Sequence, residues 1–226
     1  MNAPTARPTA HRRPFPLSRL ALGAVLALGA AHKMPLRRVA DAIIAGYEVA
    51  LRVGEVLGTR HAAHFHATAT AGAVGAAAAS AVALGLSQDR LHHAMGIAAT
   101  QSAGLWQLVD DEAHASKSLH PAFAVRNGMM AAWAAQAGFP GARAFVTGQR
   151  GLYALLAGDG SLAALDGDLD APERLNTATI KAWPCCALLF TPLAATSVAT
   201  ARAAAGRTGA AASVVCRLAG LVPQPS

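Results

Sequence analysis

The sequence predicts a mainly α fold, an all-helical body followed by the first elements of a smaller α+β unit, and three observations carry that expectation. The chain is 54% apolar but only 5% aromatic, with Ala and Gly dominating the apolar share. Ala is the best helix former and β-branched residues are sparse, so close-packed helices are expected. Apolar residues recur at helical spacing in long stretches, as at Leu36, Val39, Ile43, Tyr47, Ala50 and Leu51. Near Asn176 the pattern changes to strand, helix, strand. At 226 residues the chain can bury a sizeable core, and its length fits one domain or one and a half.

Taken in order, residues 1–19 form a basic segment rich in Pro, Thr and Arg and expected to be disordered. Leu20 to Ala31 is an apolar run, too short for the roughly 20 residues a membrane span needs. It has two readings. Arg12-Arg13 ahead of it and Leu28-Gly29-Ala30 at its end give the layout of a twin-arginine export signal; the alternative is a buried Ala/Leu helix. Pro35 can open the next helix and Gly58 stop it, with Asp41, Glu48 and Glu55 off its apolar stripe. Ala71 to Leu86 reads as a helix, and Ser87 caps another from about Gln88 to Gln101. His92 and His93 on it are expected to have no special task. Gly104 to Ser118 reads as a loop with an acidic centre at Asp110, Asp111 and Glu112. Pro121 would open a long helix that stops at Gly138, and Gly148 to Leu156 a short one. A polar connection, Asp159 to Arg174, closes the helical domain, 20–175. The second domain, 176–226, would hold a strand over Thr177 to Trp183, a helix over Cys186 to Ala205 and a strand over Ser213 to Leu218.

Charge and cysteine content narrow the function classes. The net charge is +7, but seven of the nineteen basic residues stand within residues 1–40, where there is no acid. The remaining body is therefore neutral, and it carries no basic stripe with interleaved aromatics, so a nucleic-acid partner is not expected. Cys185, Cys186 and Cys216 make neither a disulfide framework nor a zinc spacing, which points to a reducing compartment.

Two polar clusters are candidates for chemistry. His61, His64 and His66 crowd the mouth of a helix made of Ala, Gly and Val. Small residues let such a helix approach its neighbours, so its mouth can floor a cleft; equally, a histidine beside an apolar run can be a capped or core residue. Lys117 and His120 stand just before Pro121, where cations beside the free N–H groups of a helix start suit an anion. A lysine merely solvated at a helix start would look the same.

Five stretches together resemble the MmgE/PrpD family, which includes 2-methylcitrate dehydratase and cis-aconitate decarboxylase. They are GYEVALRVG (Gly46 to Gly54), FHATATAGAVGAAAASAVALGL (Phe65 to Leu86), AMGIAATQSAGL (Ala94 to Leu105), SKSLHPAFAVRNGMMAA (Ser116 to Ala132) and TIKAWPCC (Thr179 to Cys186). The resemblance spans about Leu20 to Leu218. It implies a large helical domain, an α+β lid, a homodimer, and a cofactor-independent lyase or isomerase acting on small di- and tricarboxylates. It implies roles for His66 in FH-x-x-x-x-x-G, Lys117 in SK-x-LHP and Lys181 in IK-x-x-PCC as catalytic residues, and for His120 and Cys186 toward substrate. Some relatives carry a functional His where Cys186 stands, so this chain departs from them there. Because the family's helix accounts for Leu20 to Ala31, the resemblance favours the helix over the export signal and implies a cytoplasmic protein.

The chemistry agrees with these residue types. Removing water from a citrate-like molecule takes a base for the proton beside a carboxylate, an acid for the departing hydroxyl, and cations for the carboxylates. Lys117 and Lys181 suit the last task and His66 the transfer of a proton. No metal, iron–sulfur centre or phosphate loop is called for. The family's upstream acidic motif, of the sort LDFDDTH followed by HPG, has no counterpart in Met1 to Ser18, and little of the lid follows Leu218. The resemblance thus implies a copy cut at both ends, with little or no activity alone. Two alternatives stand beside the lyase: a non-catalytic helical dimerisation remnant of the family, and an exported metal binder built on His61-x-x-His64-x-His66.

Overall fold

A helix with no side chain larger than valine can bury every face only if its neighbours come unusually close, and the fold is built around one such helix. In the computed structural model, which describes residues 18–166, 173–176 and 190–204, the chain divides into two compact units, Met1–Ala178 and Thr179–Ser226. The first unit holds α1 (Ser18–His32), α2 (Leu36–His64), α3 (Ala67–Ala83), α4 (Gln88–Ala99) and the single turn α5 (Gln107–Asp110). A 3-10 turn (His114–Ser118), α6 (Leu119–Gln136), α7 (Leu152–Leu156), a second 3-10 turn (Leu162–Leu165) and α8 (Glu173–Asn176) follow. In the second unit α9 (Phe190–Ala204) is described. Among the described residues the β structure is one isolated antiparallel bridge, Phe65 with Leu105.

Every residue of α3 but Val82 is buried, sheathed by α1, α2, α4 and α6. Gly75 faces Gly46 and Ala50 of α2, and Gly128 of α6 faces Ala76 and Ala77. Bare backbone at these crossings lets the helix axes draw together and keeps the packing dense without large side chains. The apolar run of α1 is part of this core. Ala21, Val25 and Leu28 are buried with Ala42, Ala79 and Ala83, with Ile43 packed against them. Among the described residues no helix is long and apolar enough to cross a membrane.

Helix ends divide into those the sequence announces and those it hides. Gly85 (φ 69°) and Gly138 (φ 95°) take left-handed conformations that L side chains rarely adopt. Each ends its helix with a bond reaching back past the turn, Leu86 N to Ala81 O and Phe139 N to Ala134 O. Four expectations need correction. α3 begins at Ala67 rather than Ala71, because Thr68 and Thr70 are buried in its first turn instead of breaking it. Pro121 does not open α6; Leu119 does, and Pro121 takes the third position, where its missing N–H costs nothing. The predicted loop Gly104 to Ser118 holds α5 and a 3-10 turn. The short helix expected from Gly148 starts only at Leu152, after turns. The strands expected over Thr177 to Trp183 and Ser213 to Leu218 lie outside the described residues, and of the helix expected from Cys186 the described part is Phe190–Ala204.

A fifth correction concerns Gly58. It is left-handed (φ 77°, ψ −173°), yet the chain re-enters a helix for Thr59 to His64. The restart has a remote cap: Asp159 accepts the Arg60 amide (2.8 Å) and the Thr59 hydroxyl. A side-chain oxygen on the first free N–H groups is what a new helix start needs. The Thr59 hydroxyl first, and then the Arg60 amide, hold the Asp159 carboxyl below its usual range. Asp159→Ala is expected to speed amide exchange at Arg60 and lower the melting temperature, with Asp159→Asn, which keeps an acceptor, in between. Equal exchange in the wild type and Asp159→Ala would remove the cap.

Glu48 and Glu55, set off the apolar stripe by sequence, hold the returning chain. Glu48 accepts the Leu175 amide (2.8 Å) and lies 3.4 Å from Arg52, and Glu55 lies 3.4 Å from Arg174. Asp41 is exposed. His92 and His93 fasten the segment after α6: His92 Nε2 contacts the Arg143 carbonyl (2.8 Å), and His93 Nδ1 accepts the Gly141 amide (3.1 Å).

Candidate active site

The junction between α2 and α3 is pinned to residues 104–106. His66, which caps α3, donates its amide to the Gly104 carbonyl (2.8 Å), and the Trp106 amide donates to the His64 carbonyl (3.0 Å). The Trp106 indole Nε1 donates to the Ala62 carbonyl (2.9 Å). Gly104 is needed here twice over. Its φ is 110°, and a Cβ on it would press on Ala69 and sit 3.6 Å from His120 Nδ1.

Two histidines meet at this junction. His66 Nδ1 lies 3.0 Å from Nδ1 of His120, the second residue of α6, and the ring centroids are 5.2 Å apart. Trp106 flanks His66, with centroids 4.7 Å apart at 37°. Lys117, from the 3-10 turn before α6, holds its ammonium 4.8 Å from the centre of the Trp106 ring. No carboxylate among the described residues pairs with Lys117. Burial foremost, then His120 and Lys117, push the His66 imidazole down to about 4. His120 is lowered as well, by burial and by Lys117. At neutral pH the cluster is two neutral imidazoles beside one ammonium, a net positive site suited to an anion.

A contact between two ring nitrogens is attractive only if one of them carries the proton. The pair therefore has complementary tautomers. If His66 Nδ1 bears the hydrogen, its Nε2 is bare and can accept while Nε2 of His120 bears a hydrogen and can donate; the other arrangement reverses the roles. One base and one acid, linked by a proton path, is what an elimination uses.

Of the residues singled out by sequence, His66, Lys117 and His120 come together, whereas Lys181 and Cys186 lie outside the described residues. The three-histidine arrangement does not form. His61 is 2% exposed and stacks on Phe65 (5.2 Å, 9°), and His64 is exposed on the same short helix. No group of three or more metal-ligating side chains occurs among the described residues. Trp106 is the residue sequence reading missed. The stretch Ala94 to Leu105 stops one residue short of it, and an aromatic in a polar loop gives no periodic signal.

Residues 11–164 match the sequence profile of the MmgE/PrpD N-terminal domain, a span that contains His66, Trp106, Lys117 and His120. No curated protein matches the chain.

Proposed function

Because this chain belongs to the MmgE/PrpD family, we propose that it serves as a cofactor-independent lyase of small di- and tricarboxylates of the 2-methylcitrate type. The observation that carries the reading is the 3.0 Å contact between His66 and His120 beside the Lys117 ammonium, which no carboxylate among the described residues pairs. Lys117 attracts a substrate carboxylate and steadies the charge that develops on it as the neighbouring carbon loses its proton. The bare Nε2 of one imidazole takes that proton. The Nδ1 hydrogen then crosses to the other ring, whose Nε2 hydrogen goes to the departing hydroxyl. The C–H and C–O bonds break, a C=C bond forms and water leaves, and the pair ends neutral with its tautomers exchanged. Burial helps by keeping His66 unprotonated at physiological pH. Lys181 and Cys186, in the IK-x-x-PCC motif, lie outside the described residues, and their proposed roles as a second carboxylate ligand and a substrate contact rest on the family resemblance alone.

The test is calorimetric titration of the full chain with citrate, alongside assays of 2-methylcitrate, citrate and cis-aconitate turnover. Lys117→Met is expected to weaken citrate binding about tenfold or more, the loss of one charge-assisted contact. Wild-type protein that neither binds nor converts any of the three would overturn the proposal. Binding that depends on Lys117 without turnover would instead favour the non-catalytic remnant.

A homodimer belongs to the same proposal, supported by one feature. A largely apolar groove of about 540 Å³ between α1 and α6 is lined by Gly23, Pro121, Val125, Arg126, Met129 and Trp133, and Leu22 and Phe123, next in sequence to its lining residues, are exposed. A second copy seated on this apolar face would shield it from water. Light scattering that finds only monomer would count against it.

A further inference from the structure

We propose that Trp106 is the positioning residue of this site, holding the Lys117 ammonium and the His66 ring in place until a carboxylate ligand draws the lysine off the indole. The inference rests on the lyase reading for its ligand class, but its geometry stands on its own. His66 and Lys117 come from different elements, and Trp106 is in ring contact with both, at 4.7 and 4.8 Å. The indole is itself anchored at two points, through its Nε1 to the Ala62 carbonyl and through its amide to the His64 carbonyl. A lysine has four rotatable side-chain bonds and is strongly hydrated, so one without an acidic partner ordinarily ranges through solvent. Among the described residues, the electron-rich face of a fixed ring takes the place of that partner for Lys117.

The stand-in is well chosen for a binding site. An aspartate opposite Lys117 would neutralise the charge a substrate carboxylate needs, and it would have to be displaced with its full ionic attraction. An aromatic ring orients the ammonium while leaving it cationic and competes weakly with an anion. The same ring covers His66, one face of the desolvation that keeps that imidazole neutral. Trp106 therefore sets two properties together, the place of the cation and the protonation of His66.

The experiment compares Trp106→Phe, which keeps a ring but loses the Nε1 donor, with Trp106→Leu, which loses both. In ligand-free protein with labelled histidines, NMR titration is expected to move the His66 midpoint from about 4 upward in Trp106→Leu, and less in Trp106→Phe. Citrate binding is expected to weaken about tenfold in Trp106→Leu, with partial rescue in Trp106→Phe. Because Trp106 acts through the lysine, adding Trp106→Leu to Lys117→Met is expected to cost nothing further, a non-additive cycle. An unshifted His66 midpoint in a folded Trp106→Leu protein overturns the proposal, as does an additive cycle. Wild-type protein that neither binds nor converts 2-methylcitrate, citrate or cis-aconitate overturns the lyase reading instead, and the ligand-free titration still decides the role of Trp106.

Discussion

Replacing Gly75 by leucine is expected to leave the first unit unfolded or destabilised by more than about 3 kcal/mol, the upper range for overpacking a dense core. Gly75 sits mid-way along α3, where the helix crosses α2. A Cβ there would lie 2.5 Å from the Ala50 Cβ and 2.7 Å from the Gly46 carbonyl oxygen, and a Cβ on Gly46 would in turn lie 2.7 Å from those of Ala21 and Ala79. The obstructing atoms are backbone and alanine methyls, which have no other rotamer to adopt, so the helices themselves must separate. Separation would strip contacts from all of α3 at once, because that helix is buried on every side. Gly128→Leu is expected to behave alike, since its Cβ would meet the Ala76 Cβ and the Ala77 amide at 2.6 Å. Gly23 in α1 is the contrast: its Cβ would find only a Val125 methyl, at 3.6 Å. Gly23→Ala is expected to raise stability by about 0.5–1 kcal/mol through helix propensity alone. Urea unfolding of the three variants checks the set, and near-native stability in Gly75→Leu would mean that the α2–α3 crossing is not close-packed.

How much of this was legible in the sequence follows from the range of the interaction concerned. The stop at Gly138 was legible because a left-handed residue after an apolar helix is a local demand that glycine answers locally, whereas the helix read through to Leu86 in fact ends at Ala83, before the left-handed Gly85. The helix over Leu20 to Ala31 was legible once the chain resembled the MmgE/PrpD family, since the run alone also fitted an export signal. Gly58 was half legible. It breaks the helix, but the restart depends on Asp159, a hundred residues away in sequence, and no local pattern encodes that cap. Likewise the early start of α3 is decided by burial of Thr68 and Thr70 from outside, which overrides their weak helix preference. Lys117 and His120 could be placed at the front of α6 from their spacing, but their convergence with His66 is a property of how α3 and α6 pack. Trp106 had no pattern to belong to, and only the fold puts it between the two.

Acid is expected to destabilise the fold over a defined window, with His61 at its centre. His61 is 2% exposed, and neither of its ring nitrogens has a hydrogen-bond partner among the described residues. Burial pushes its imidazole from 6.5 down to about 4, as it does that of His66. Between those values the unfolded chain binds protons that the folded one refuses, so stability rises with pH. The contribution is whole above about 6.5, drains away as pH falls, and is spent near 4. For the buried His61 the loss is about 3 kcal/mol. His61→Leu keeps an apolar side chain of similar bulk against Phe65 and removes an N–H buried without an acceptor, a burden of about 1–3 kcal/mol. The variant is expected to be more stable than the wild type at pH 7.5, and by a wider margin at pH 5. His64→Gln, on the same short helix but exposed, is expected to change neither value. Urea titrations at pH 7.5, 6 and 5 measure the margins. A His61→Leu protein that loses as much stability on acidification as the wild type would place the acid-sensitive group elsewhere, with the His66 and His120 pair next in line. That outcome would tie the pH stability of the fold to the same imidazoles that are proposed to move the substrate's proton.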